Sequence, residues 1–251
     1  MKKLSILNSI QYLSDIHLEY YTLKHQSSIP KMKKISDNLA LLGDIGNPFL
    51  DNYKEFLNYV SGEWNQTFLI TGNHEYWQEK YSISDVDNKI SDLLTKFNNI
   101  TFLNNTSYEF SNYTLLGTTL WSKILNPPKR IMGDDLYIPN MNFEELNKLH
   151  NKSVEWLEKE SSLNEPSKTN SKNIIVLTHH LPSYKLIIDK YQDSKFQDRF
   201  ASDLEYLMKD HVKYWLSGHS HCKYETIIND TFCGINACND NMKEKIIKLV
   251  D

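Results

Sequence analysis

Short apolar runs alternate along this chain with amphipathic stretches, and that alternation constrains the fold more than any other feature. The runs read SIQYLS, NLALLG, TFLITG, YTLLGTTLW, NIIVLT and KYWLSG, each about the length of an ordinary strand. Strands interleaved with helical patterns specify an α/β architecture. Leu50, Tyr53, Leu57 and Val60 recur at helical spacing after Pro48, which suits a first helical turn. Val86, Ile90, Leu93, Leu94 and Phe97 repeat the pattern, with Ser84 placed to cap it and Asp87 three residues on. Phe143, Leu146, His150, Val154 and Leu157 make a third stripe, and Ser202 or Asp203 would cap a short helix reaching Lys209. The polar stretch Ser161 to Asn173 has strand and helix patterns on both sides, so it reads as a loop within one domain spanning residues 1–251. Two longer irregular segments, Ser122 to Asn140 and Leu181 to Phe200, are placed to shape a binding cleft.

Composition narrows the function classes. A chain of 251 residues buries roughly 70–75% of its unfolded surface and needs no disulfide or metal merely to fold. The net charge of −4 opposes extended nucleic-acid binding, whose electrostatic footprint is basic. Cys222, Cys233 and Cys238 are odd in number and late in the chain, a poor disulfide framework that fits a reducing, cytoplasmic location. No run approaches the ~20 apolar residues of a membrane helix. The N-terminal MKKLSILNSIQYLSDIHL is broken by Ser, Asn and Gln and reads as a first strand rather than a signal peptide. Oligomeric state leaves no mark in the sequence.

The chemistry lies in the residues just past the apolar runs. IQYLS leads into Asp15 and His17, LALLG into Asp44, TFLITG into Asn73, His74 and Glu75, IIVLT into His179 and His180, and YWLSG into His219 and His221. Ligands of open α/β sheets bind outside the carboxyl ends of strands, so these clusters are placed to converge on one rim. Asp15 and His17 are two apart, as are His219 and His221; in an extended chain alternate side chains point the same way. Gly43, Gly72 and Gly218 each precede a polar group, where glycine permits tight turns and close backbone approach. His, Asp and Asn without sulfur form a mixed N/O donor set suited to first-row divalent ions such as Mn, Fe or Zn. Two such ions, about 3.5–4 Å apart, activate a water and clamp a phosphate during in-line displacement.

The ordered set SDIH, GDIGN, GNHE, THHLP and GHSH, spanning residues 14 to 221, resembles the calcineurin-like metallophosphoesterase superfamily. The resemblance implies a four-layer α/β/β/α sandwich with a dinuclear metal site at one edge and a small phosphoester as substrate. Carried over residue by residue, it implies one metal held by Asp15, His17, Asp44 and His221. It implies a second held by Asp44, Asn73, His179 and His219, with Asp44 bridging. It further implies that a metal-bridging hydroxide attacks phosphorus while His74, beside the metals, stabilises the phosphoryl oxygens or protonates the leaving group. His180 is then expected to point to the other side, where it supports the ligands from behind or packs, and Glu75 to orient His74, cap the following segment or remain solvated.

The match also has gaps. The protein Ser/Thr phosphatase branch usually carries arginines after Gly-Asp and before Gly-Asn-His, where they grip phosphate bidentately. This chain reads GDIGNP and LITGNHE, and its arginines are Arg130 and Arg199 alone. The expectation therefore shifts toward phosphodiesters or nucleotide-type substrates, ahead of phosphomonoesters. Tyr76, Trp77 and Trp121 are expected to pack, with base stacking as the alternative. Lys123, Lys129 and Arg130 are placed to meet a phosphate or remain solvated. Asp189, Asp193 and Asp198 read as a solvated face, His25 and His211 as surface, His150 as structural, and Cys222 as a strand residue facing away from His221. Two other readings stay open: a non-catalytic interaction scaffold on the same fold, which would purify with little metal and show no activity with added Mn, and a nuclease of the superfamily, which would want a basic groove.

Overall fold

The structure is a computed structural model that describes residues 5–23, 29–126, 133–169, 171–188, 192–238 and 244–249. Its first sheet has the strand order β11-β1-β2-β3-β4. These strands are β1 Ser9–Leu13, β2 Asn38–Leu42, β3 Gln66–Ile70, β4 Ile100–Phe102 and β11 Lys245–Lys248. All run parallel except β11, which closes the edge beside β1 in antiparallel register. The second sheet has the order β5-β6-β7-β8-β10-β9. It comprises β5 Thr106–Glu109, β6 Tyr113–Thr118, β7 Asn173–Thr178, β8 Val212–Ser217, β9 Lys223–Ile228 and β10 Thr231–Asn236. Here the inner strands β6, β7, β8 and β10 are parallel, with antiparallel partners at both edges.

Strand alternation sorts the apolar residues into layers. Ala40 and Leu42 of β2, Phe68 and Ile70 of β3, and Ile175 and Leu177 of β7 fill the space between the sheets. Leu39, Leu41 and Leu69 face the other way, onto α2 (Asp51–Glu63) and α3 (Ile83–Leu94) through Tyr53, Phe56, Leu57, Val86 and Ile90. Ile174, Val176 and Trp215 on the outer face of the second sheet pack with Leu157 of α5 (Phe143–Leu163). The result is the expected α/β/β/α layering. Short helices α1 (Leu18–Leu23) and α4 (Asp134–Tyr137) complete the set. No helix among the described residues is long and apolar enough to cross a membrane.

Several expected boundaries move. The cap of α3 is Ser82, which accepts from Asp85 N at 3.2 Å while Asp85 Oδ2 accepts from Ser82 N at 2.9 Å. The Ser84–Asp87 pair has the same spacing, but Asp87 is taken by the Tyr76 hydroxyl and the Asn104 amide. Pro48 lies in the turn before α2 rather than in its first turn. Residues 161–163, read as loop, are the last turn of α5. The helix expected after Ser202 is only a 3-10 turn, Glu205–Leu207.

Candidate metal centre

Strands β1, β2, β3, β7 and β8 end side by side, and the polar residues after them meet at one rim. The backbone geometry there differs from the sequence expectation. Asp15 and His17 lie beyond the end of β1, and both are left-handed, at φ 54° and 53°. Asp44 (53°), His219 (65°) and His221 (49°) share that conformation. Residues two apart therefore converge through left-handed turns, not through an extended strand. Each such turn costs a non-glycine residue about 1–2 kcal/mol, and strain of this kind concentrates at functional sites. Backbone bonds hold it: Asp15 N to Gly43 O at 3.0 Å, His17 N to Asp44 O at 2.9 Å and Gly218 N to His179 O at 3.0 Å. Gly43 is itself at φ 84°, and a Cβ on it would collide with Gly72 and the His179 ring.

Two groups of donor atoms result, each within 4.8 Å: Asp15, His17, Asp44 and His221, and then Asp44, His179 and His219. Asp44 belongs to both. Its Oδ2 lies 3.8 Å from His17 Nε2 and 3.3 Å from His179 Nε2. Asn73 Oδ1 is 3.2 Å from His179 Nε2 and joins the second group. A third group links His17 and His74 through Glu19.

Partners on the outer ring nitrogens fix the tautomers. His17 Nδ1 faces Glu19 Oε1 at 3.0 Å, His179 Nδ1 faces Leu42 O at 2.8 Å, and His219 Nε2 faces Arg199 O at 3.2 Å. With those nitrogens donating, the lone pairs of His17 Nε2, His179 Nε2 and His219 Nδ1 turn inward. They meet carboxylate oxygens Asp15 Oδ1 and Asp44 Oδ2, which are buried and have no hydrogen-bond partner. Converging lone pairs and carboxylate oxygens repel unless a cation lies among them. A set of N and O donors in that state fits a divalent metal.

The charges around these groups make the same demand for positive charge. Burial works against a charged His17, but the Glu19 hydrogen bond and the Asp44, Glu19 and Asp15 charges raise it to about 9. Burial likewise opposes His179, and Asp44 brings it up to about 9. His180 goes down to about 3, through burial and then the His179 charge. It is buried, with Nδ1 3.3 Å from Thr119 O, and its ring packs 4.2 Å from the His219 ring, so it backs the cluster instead of pointing away from it.

Three acidic residues build the site in ways the sequence did not specify. Glu75 is neither solvated nor an orienter of His74. Fully buried, it accepts backbone N–H bonds from Asp44 (3.0 Å), Ile45 (2.7 Å), Gly46 (3.3 Å) and Gly72 (2.7 Å), which shapes the loop carrying Asp44. Burial and then the Asp44 charge push its carboxyl up to about 7. Glu19, in the first turn of α1, serves both His17 and His74, the latter at 3.4 Å from Nδ1; its spacing of two from His17 was the available signal. Asp134 Oδ1 accepts from Asn73 Nδ2 at 2.9 Å and Trp77 Nε1 at 2.8 Å, which aims Asn73 Oδ1 inward.

His74 lines a ≈ 420 Å³ cleft together with Asp44, Asn73, Trp77, Phe196 and Arg199. Its backbone N–H reaches Asp44 Oδ1 at 2.8 Å, and its ring stacks on Trp77 at 3.7 Å. Tyr76 and Trp121 are core residues. Trp77 lines the cleft and packs against the His74 ring at 3.7 Å and the Tyr137 ring at 4.6 Å. Lys123 lines a different hollow, beside His150 and Tyr184. Asp198 is buried and accepts from Leu125 N and Asn126 N, both at 2.9 Å, instead of facing solvent. His211, expected at the surface, is buried against Ser161 Oγ at 3.0 Å. Asp193 is exposed, and Cys222, buried, precedes β9 rather than lying in it. His25, Lys129, Arg130 and Asp189 lie outside the described residues.

A two-sheet α/β sandwich with a shared-carboxylate His/Asp cluster at its strand ends defines a metal-dependent hydrolase. The chain belongs to the calcineurin-like phosphoesterase family, whose model matches residues 10–223, and it is a metal-dependent phosphoesterase. It is 29% identical over 256 residues to Uncharacterized protein L509 of Acanthamoeba polyphaga mimivirus, covering 90% of this chain and 89% of that one. Among solved structures it is similar to a phosphopantetheinyl hydrolase from Mycobacterium tuberculosis, with a TM-score of 0.66 at 11% identity, over 91% of this chain and 88% of the other. At that identity the likeness is one of fold.

Proposed function

We propose that this protein hydrolyses small phosphodiester or nucleotide-type substrates at a dinuclear centre. Asp15, His17, Asp44 and His221 would hold one divalent ion, and Asp44, Asn73, His179 and His219 the second, with Mn, Fe or Zn best suited to the donors. When bound, such a pair supplies a water activated at neutral pH and an electrophilic clamp on the phosphoryl oxygens. The observation that carries this reading is Asp44 Oδ2, buried without a hydrogen-bond partner between His17 Nε2 and His179 Nε2.

The protein's own groups do the rest. Glu75 fixes the Asp44 loop through its N–H bonds, and Asp134 holds Asn73. Glu19 and the Trp77 face hold the His74 ring, leaving its Nε2 to meet a substrate oxygen and pass a proton to the departing one. The three buried, free cysteines support a reducing, cytoplasmic setting.

The test compares hydrolysis of a chromogenic phosphodiester and a phosphomonoester with EDTA, Mn, Zn or Mg. Metal-dependent turnover favouring the diester is expected. His74→Ala should keep the metals and slow turnover roughly 10²–10⁴-fold. Loss of metal in that variant would make His74 a ligand instead, and absence of both turnover and bound metal would overturn the proposal.

A further inference from the structure

Arg199 is the sole Lys or Arg lining the cleft among the described residues. Its Nη2 donates to Asp135 Oδ2 at 2.7 Å, and both side chains are largely buried, 11% and 8% exposed. Asp135 follows Asp134, whose carboxylate is committed to Asn73 and Trp77. One arm of the guanidinium that would grip a phosphate is thus committed to a protein carboxylate in a place poor in water, where the attraction is strong.

The opposite character marks the neighbouring wall. Phe196 and Phe200 line the cleft beside Arg199, and Phe196 is 41% exposed. Phe200 packs on the His219 ring at 5.1 Å, so this apolar surface begins at the second donor group. An exposed phenyl ring next to a hydrolytic centre offers apolar burial to a substituent of the substrate.

A phosphomonoester carries close to two negative charges at neutral pH, a phosphodiester one. We infer that the Arg199–Asp135 ion pair selects against doubly charged monoesters, and that the cleft takes singly charged phosphodiesters whose apolar or aromatic substituent rests on Phe196 and Phe200. This deepens the phosphoesterase reading and rests on it. Asp135 is a specificity-determining residue acting through Arg199, and Phe196 a contact for the substituent.

The experiment uses the Mn-loaded protein with bis(p-nitrophenyl) phosphate and p-nitrophenyl phosphate. Alongside, calorimetric binding of diphenyl phosphate and phenylphosphonate reads charge preference without turnover. Asp135→Asn removes the neutralising charge beside the guanidinium and should lower the diester-to-monoester ratio of kcat/KM about tenfold, mainly by gain on the monoester. Asp135→Glu should restore the ratio. Phe196→Ala should raise KM for the diester about 3–10-fold and leave KM for the monoester alone. Ratios unchanged in both Asp135→Asn and Phe196→Ala, with turnover intact, would overturn the inference and spare the phosphoesterase reading. Tighter binding of diphenyl phosphate than of phenylphosphonate, reversed by Asp135→Asn but without hydrolysis of either ester, would uphold the inference and sink the hydrolytic reading.

Discussion

Glu75 turns a Gly-Asp loop into a rigid mount. Its two oxygens take four backbone N–H groups around Asp44 and Gly72. Glu75→Gln places an amide donor against donors, and each buried N–H left unpaired costs about 1–3 kcal/mol. The variant should lose stability in urea denaturation and bind Mn more weakly by calorimetry; unchanged metal affinity would detach Glu75 from the site. His150 supports a pH prediction. Burial, with Lys123 nearby, lowers its pKa, although Trp121 O accepts from it at 3.0 Å. The unfolded chain then binds more protons, so this stability is present above the ordinary imidazole value of about 6.5 and is lost as pH falls, by at most ~1.4 kcal/mol per unit. His150→Asn keeps the donor, and its stability should decline less between neutral and mildly acidic pH.

Residues tied to a local pattern were legible: Asp15, His17, Asp44, Asn73, His179, His219 and His221 each come just after an apolar run. Glu19, Glu75 and Asp134 were not, because a carboxylate's role depends on which distant N–H or imidazole it meets. The left-handed turns at Asp15, His17, His219 and His221 were equally hidden: Asp and His are enriched at positive φ, but most of them still adopt negative φ.

At the scale of elements, the strands that carry the site were readable because both faces are buried and their apolar runs are continuous. β4 is three residues long, and β9 is largely exposed; neither leaves a periodic signal. The start of α3 tests the local account. Ser82→Ala removes a reciprocal cap and should cost about 1 kcal/mol, read as a shifted urea midpoint with an unchanged slope. Ser84→Ala, at the position favoured by spacing, should cost less.

Over the whole molecule, the site joins the two sheets. Asp15, His17, Asp44 and Asn73 come after strands of the first, and His179, His219 and His221 after strands of the second. Metal that binds only the folded chain stabilises it by mass action, about 2.7 kcal/mol at a hundredfold excess over Kd. Chelation should therefore lower the melting temperature, and melting unchanged by EDTA in metal-loaded protein would separate the site from the fold.

The shared Asp44 lies at the heart of the proposed chemistry, and metal stoichiometry with paired turnover tests it most directly. Wild-type protein should hold two divalent ions per chain and hydrolyse a chromogenic phosphodiester. Asp44→Asn, which weakens the common ligand, should lose both ions and essentially all turnover. An Asp44→Asn protein that keeps two ions and near-normal turnover would contradict the bridging centre.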